Sequence, residues 1–216
     1  HIKNTKSFIL FLLLFSCQTF QSIEYVHAPL VFREHASTRC QSEGAFSLSY
    51  AKAKQKTANA RLDFIAEDNC QLELELSNDF GYSILSGHLS AEGFFANKLK
   101  EEISLSEKGF FIIKGIEIGL HWSEVAMLLG FKIPRDWLDR LMQKSGSESF
   151  FVNDKERRIE ILLIDDFRYK IIYRWSSYWF LKDHEIQFFF DHQEENIEIT
   201  LPDDSVLSLK RVHDES

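Results

Sequence analysis

The sequence predicts a mainly β domain with a small helical part: a single curved antiparallel sheet, an incomplete β-barrel, with a helical hairpin lid over its apolar concave face. Three observations predict it. Runs of alternating apolar and polar residues recur through residues 44–89 and 159–209, the period-two mark of half-buried strands. A central stretch, residues 121–146, switches to a 3.6-residue period and so to helix. The composition is aromatic and stiff, with Phe 20 against Gly 9 and Pro 3, which suits a broad packed β-surface better than a disordered chain.

The amino-terminal residues 1–16 carry Lys3 and Lys6, then an unbroken apolar run over residues 8–15, then Ser16 and Cys17. The run is far shorter than the roughly 20 residues a spanning helix needs, so the segment reads as a secretory signal peptide. Leu14-Phe15-Ser16-Cys17 resembles a bacterial lipobox, which implies that Cys17 becomes the lipidated amino terminus of the mature chain. Several acyl chains anchor stably where one binds only marginally. The alternative is an ordinary signal peptide cut nearby, with Cys17 discarded or left as a plain thiol. Gln18 stands where, in the lipoproteins this resembles, an Asp is a common inner-membrane retention signal. Its absence points to the outer membrane, periplasmic face.

Residues 17–43 lack a clean period and include Pro29, so they read as a tether followed by a short helical or irregular segment. Residues 44–216 form one domain. Phe46, Leu48 and Tyr50 alternate with Ala45, Ser47 and Ser49; Ala60, Leu62, Phe64 and Ala66 alternate with Arg61, Asp63 and Ile65. Leu72, Leu74 and Leu76 alternate with Gln71, Glu73 and Glu75, and Asn78-Asp79-Phe80-Gly81 supplies a hairpin turn before the strand at residues 82–89. Residues 110–113 make a further strand. Helix follows: Trp122, Val125, Leu128 and Leu129 with Ser123 as cap and Gly130 as stop, then Trp137, Leu138, Leu141 and Met142 after Pro134. Strands resume at residues 159–164, 169–174, 186–190 and 197–201, with a shorter one at 205–209. Asp165-Asp166 and Asp203-Asp204 fit the turns between them.

The landmarks Gly44-Ala45-Phe46, Ala60-Arg61, Asn78-Asp79-Phe80-Gly81, Leu128-Leu129-Gly130-Phe131-Lys132-Ile133-Pro134, Trp137 and Tyr169-Lys170-Ile171-Ile172-Tyr173 resemble, in order and spacing, those of the LolA/LolB lipoprotein-localisation family, the outer-membrane receptor branch in particular. The resemblance covers residues 40–202. Departures are Asp79-Phe80-Gly81 where members usually carry Pro-Leu-Gly, and Lys182-Asp183-His184 where they carry a Pro. What it implies is a half-barrel whose apolar interior takes lipoprotein acyl chains from a periplasmic carrier and passes them into the membrane, and a tip residue, Phe80 beside Gly81, that enters that membrane. The cavity would be bounded by Phe46, Leu48, Leu62, Phe64, Leu72 and Leu74 and by Leu129 and Leu138 of the lid. The same alternation, read from the residues alone, favours a dry packed core over a cavity.

The net charge of −8 becomes −10 once Lys3 and Lys6 leave with the signal, 23 basic residues against 33 acidic, a poor balance for gripping phosphate backbones. No nucleic-acid partner is expected. Catalytic motifs are missing: there is no GxSxG, HExxH, P-loop or GxGxxG, so a non-enzymatic monomer without cofactors is the expectation. Asp183-His184 and Asp191-His192 flank an apolar run and sit at opposite ends of one strand, which disfavours a metal site. Arg61 is either a solvated strand residue or a polar anchor in a lipid site, and Trp122 and Trp137 read as packing residues. With Cys17 set aside, Cys40 and Cys70 remain as a possible disulfide; spacing alone leaves both states open. A second functional class stays in view: a structural or assembly lipoprotein of the envelope that uses the same fold to hold a protein partner.

Overall fold

The computed structural model describes residues 23–52, 55–97, 103–113, 115–144, 148–154, 157–176 and 183–213. The signal segment and Cys17 lie outside them. Strand β1 (Ile23–Tyr25) precedes a short helix, α1 (Leu30–Glu34), and a two-residue strand, β2 (Ala36–Ser37). A meander follows: β3 (Ser42–Lys52), β4 (Gln55–Ala66), β5 (Leu72–Ser77), β6 (Ser83–Ser90) and β7 (Gly93–Ala96). Strands β8 (Ile103–Leu105), β9 (Phe110–Ile113) and β10 (Ile116–His121) lead into α2 (Trp122–Leu129), β11 (Ile133–Pro134) and α3 (Arg135–Asp139). The second meander is β12 (Leu141–Lys144), β13 (Ser149–Val152), β14 (Arg158–Leu163), β15 (Arg168–Ser176), β16 (Asp183–Asp191), β17 (Asn196–Thr200) and β18 (Val206–Val212).

Thirteen of these strands make one antiparallel sheet in the order β1-β12-β13-β14-β15-β16-β17-β18-β3-β4-β5-β6-β7. The last strand of the chain, β18, pairs along its length with β3, so the two meanders are joined into one surface. Strands β1 and β7 are its two edges, and the sheet does not close into a barrel. Smaller sheets are β10-β9-β8 and the parallel pair β11-β2.

Register explains why one face is continuous. Ile161 lies opposite Ile171, Ile171 opposite Phe188, Phe188 opposite Ile199 and Ile199 opposite Leu207, so a single apolar row crosses five strands. The same face carries on through β3, where Leu48 faces Leu209 and Phe46 faces Leu62. A one-residue slip anywhere would turn these side chains out, and each buried Leu, Ile or Phe is worth roughly 1.5–3 kcal/mol. Helix α2 and residues of β9, β10 and β11 pack on this face in one hydrophobic cluster.

The central helices differ from the expected pair. Only α2 reaches eight residues; α3 is five residues long, and Leu141 and Met142, read as its continuation, are strand. Their spacing from Trp137 fits a helix, but Leu141 pairs with Val152 and Met142 with both Phe151 and Tyr25, and ladder bonds to two neighbours outweigh a weak local preference. The cap of α2 is also two residues earlier than expected: His121, not Ser123, accepts at the N-terminus, with Glu124 returning the bond in a capping box. The helix ends where Gly130 comes so close to β3 that an added Cβ would stand 2.7 Å from Ser42 Oγ. The left-handed position falls on the next residue, Phe131 (φ 56°), held there by burial of its ring against Phe46 and Phe190.

Candidate functional site

At the turn between β5 and β6, Asn78 organises the tip. Its Oδ1 accepts the N–H groups of Phe80 and Tyr82, both at 3.0 Å, while its own carbonyl accepts the N–H of Gly81 at 2.9 Å. Gly81 takes φ 79°, a conformation cheap only for glycine, with open space around its Cα. The turn therefore stands without help from Phe80, whose side chain is 85% exposed; Tyr82 is 73% exposed and Ile84 is also exposed. Three large apolar side chains at one hairpin end form a surface feature that isolated exposed residues do not.

The eight residues expected to bound an acyl cavity are brought together. Phe46 and Leu62, Phe64 and Leu74, and Ala66 and Leu72 are cross-strand partners on the core face, and Leu129 and Leu138 pack into the same cluster from α2 and α3. They pack in one cluster, with Leu48, Leu62, Leu74 and Leu138 half-buried at its margin. Phe46 and Leu72 are fully buried, and Phe46 stacks on Phe64 at 5.4 Å. A cavity of about 860 Å³ lies elsewhere, lined by Ile65, Glu73, His88 and Phe95, which pair in register one residue out of phase with the core. Of the eight, only Phe64 and Leu74 touch it. This open volume lies on the opposite, mixed apolar and acidic face of the sheet.

Arg61 belongs to that outer face as well, half-exposed and paired with Asp63 at 3.0 Å, so it is not an anchor within the apolar interior. Trp137 is buried edge-on to Tyr173, and Trp122 packs half-buried at the start of α2. Cys40 and Cys70 are disulfide-bonded with Cα atoms 4.9 Å apart, tying the chain before β3 to the β4–β5 turn. His184 stacks on Trp175 and His192 on His35, at opposite ends of β16. Among the described residues, no group of three or more His, Cys, Asp and Glu could hold a metal ion, and no helix is long and apolar enough to cross a membrane.

Sequence reasoning missed a buried polar cluster under α2. Glu124 accepts Arg157 Nη2 and Nη1 at 2.7 and 2.8 Å, the His121 N–H at 3.0 Å and the Tyr173 hydroxyl at 3.3 Å. Arg157 also donates to the Gly119 carbonyl and to Asp154, both at 3.0 Å, and lies over the Phe110 ring. Burial pushes the Glu124 carboxyl up against the pull of Arg157; burial also opposes the Arg157 charge, but Glu124 and Asp154 outweigh it and hold the guanidinium ionised. Among the described residues, no buried side-chain nitrogen or oxygen is left without a partner. Its chemistry is that of a fastening between α2, the chain before β14, and β15. The only sequence signal was His121 three residues ahead of Glu124; Arg157 had none.

No family profile, curated protein or solved structure matches this chain, so the family resemblance rests on the quoted residues alone.

Proposed function

We propose that this chain is a non-enzymatic, membrane-anchored lipid-binding protein that takes lipoprotein acyl chains against the apolar face of its sheet, with α2 and α3 as a lid, and helps insert them into the outer membrane. Cys17 is the proposed anchor and a periplasmic lipoprotein carrier the proposed donor. The observation that carries the reading is the β5–β6 tip: a turn self-sufficient in hydrogen bonds that holds Phe80 and Tyr82 out in solvent. Supporting it, the thirteen-stranded sheet does not close into a barrel, and its apolar face is packed by short elements, α2 and the small β10-β9-β8 sheet among them. Loading an acyl chain then means displacing α2 and exchanging side-chain packing for chain packing, at roughly 25 cal/mol per Å² of apolar area removed from water. A fluorescent fatty acid should bind saturably to protein lacking residues 1–17, and Leu74→Glu should abolish binding. Absence of saturable binding, or binding indifferent to Leu74→Glu, sinks the reading.

One observation favours a second reading, a structural or assembly lipoprotein that holds a protein partner. The interior is filled at rest, with Phe46 and Leu72 fully buried, and the large cavity is on the other face. A null result with the fatty acid moves the weight there.

A further inference from the structure

We infer that residues 29–35 form an acid-released plug at one end of the apolar interior, clasped by the face-to-face rings of His35 and His192; the inference rests on reading that interior as an acyl-chain site. The two ring centroids are 3.5 Å apart with planes 19° from parallel. His35 closes α1, and His192 sits in the turn between β16 and β17. The His192 ring also meets Phe131 and Tyr169, each at 5.4 Å, and its Nε2 is 3.3 Å from the Tyr169 hydroxyl. Three residues before His35, Phe32 is fully buried and edge-on to both Phe150 and Tyr169 at 5.5 Å. Phe32 therefore stops the end of the core, and the ring pair lies directly beyond it.

Within α1 itself the hold on the sheet is local: the helix is five residues long and lacks a side-chain cap, the Ile133 N–H donates to the His35 carbonyl at 2.8 Å, and the fixed points lie on either side of it, β1 paired with β12 and β2 with β11. A five-residue helix is far below the length that is stable alone. Seating it depends on Val31, Phe32 and the ring stack.

The stack tolerates neutral rings and not two cations at 3.5 Å. Burial lowers both rings, and burial together with the neighbouring His35 brings His192 down to about 4. The charges that face them are few. Glu34 beside His35 and Asp191 beside His192 favour protonation, but neither carboxylate hydrogen-bonds either ring, and Asp191 is engaged with the N–H groups of Gln193 and Glu194. In the β14–β15 turn, whose Phe167 carbonyl accepts the His192 N–H, Asp165 and Arg168 pair with each other. Next to Phe131, Lys132 donates to the carbonyls of Arg39 and Gln41, and Arg33 of α1 is exposed. The Tyr169 hydroxyl is kept neutral by burial. Among the described residues no ion pair stands ready to replace the stack, so proton uptake by both rings separates them. With the clasp parted, α1 lifts between its paired flanks β1 and β2, Phe32 withdraws, and the faces of Phe150 and Tyr169 open to an incoming chain.

The experiment is hydrogen exchange by mass spectrometry on the full chain at pH 7 and pH 4.5, corrected for intrinsic rates. Residues 30–35 should lose protection about tenfold or more in acid while residues 186–190 keep theirs. His35→Phe/His192→Phe preserves an aromatic stack that cannot be protonated, and its residues 30–35 should be equally protected at both pH values. Ring titrations by NMR on the unaltered chain decide independently of any variant. Two rings that take up protons near 6.5, or residues 30–35 equally protected at both pH values, overturn the plug. If acid frees residues 30–35 but an anthroyloxy-stearate probe fails to bind, the plug stands and the acyl-chain reading falls. If the probe binds equally at both pH values while residues 30–35 stay protected, the plug falls and the acyl-chain reading stands.

Discussion

Glu124 and Arg157 face each other through hydrogen bonds of 2.7 and 2.8 Å with 6% and 9% of their side chains exposed. They fasten α2 to the strand side of the molecule. A buried pair of this kind stabilises little compared with an apolar isostere, but removing one partner strands the other charge. Arg157→Met should therefore cost about 3–5 kcal/mol, and Glu124→Met a similar amount. The double variant should recover much of either loss. Urea titrations at pH 7 read all three, and additive single losses would show that the two groups do not act as a pair.

Cys40 and Cys70 close a loop of 30 residues in sequence separation and so restrict the unfolded chain. Reduction, or Cys40→Ser, should lower stability by about 2–5 kcal/mol, read as a drop in melting temperature with reductant. Alkylation that finds two free thiols in protein kept from reductant would remove the bond from the account.

Alternation made the long strands legible. Leu72, Leu74 and Leu76 against Glu73 and Glu75 locate β5, and the same rhythm locates β3, β4 and β14–β18 because each has one dry face. Of the four-residue strands, β9 was legible as the apolar run 110–113, whereas β7 and β13 show too little period to register. Leu141 and Met142 were misread because helical spacing and strand membership agree over so few residues, and pairing with Val152 and Phe151 decided between them. The joining of β18 to β3 is a contact between the two ends of the domain, invisible to any local pattern. Whether the apolar face is open or filled was equally invisible, because a cavity wall and a packed core have the same alternation. Arg157 reaches Glu124 from 33 positions away, and nothing in its own neighbourhood announces that.

Acid should destabilise the fold through its half-buried imidazoles. His192 binds its proton at about 4 when folded and near 6.5 when unfolded, so the unfolded chain holds more protons between those values. Its contribution is complete above pH 6.5 and is lost as pH falls toward 4; His35 and His121 shift the same way, chiefly through burial. The urea midpoint should fall between pH 7 and pH 4.5, less steeply in His192→Phe. An identical slope in that variant would show that His192 is not buried as described.

Phe80 offers the sharpest test of work at a membrane. Asn78 and Gly81 shape the turn through backbone and amide groups, and nothing packs on the Phe80 ring, so Phe80→Glu should leave stability within about 0.5 kcal/mol. Fatty-acid binding should be unchanged for the same reason. Insertion of a Phe side chain among acyl chains is worth about 1.5–3 kcal/mol, so its loss, with a carboxylate in its place, should weaken liposome association roughly 10- to 150-fold. Asn78→Ala separates shape from insertion: it removes two hydrogen bonds, loosens the tip and should cost about 1 kcal/mol of stability while keeping the ring. Client transfer into liposomes should therefore fall steeply for Phe80→Glu and modestly for Asn78→Ala. Full transfer by Phe80→Glu would reduce the tip to a turn that happens to carry an aromatic.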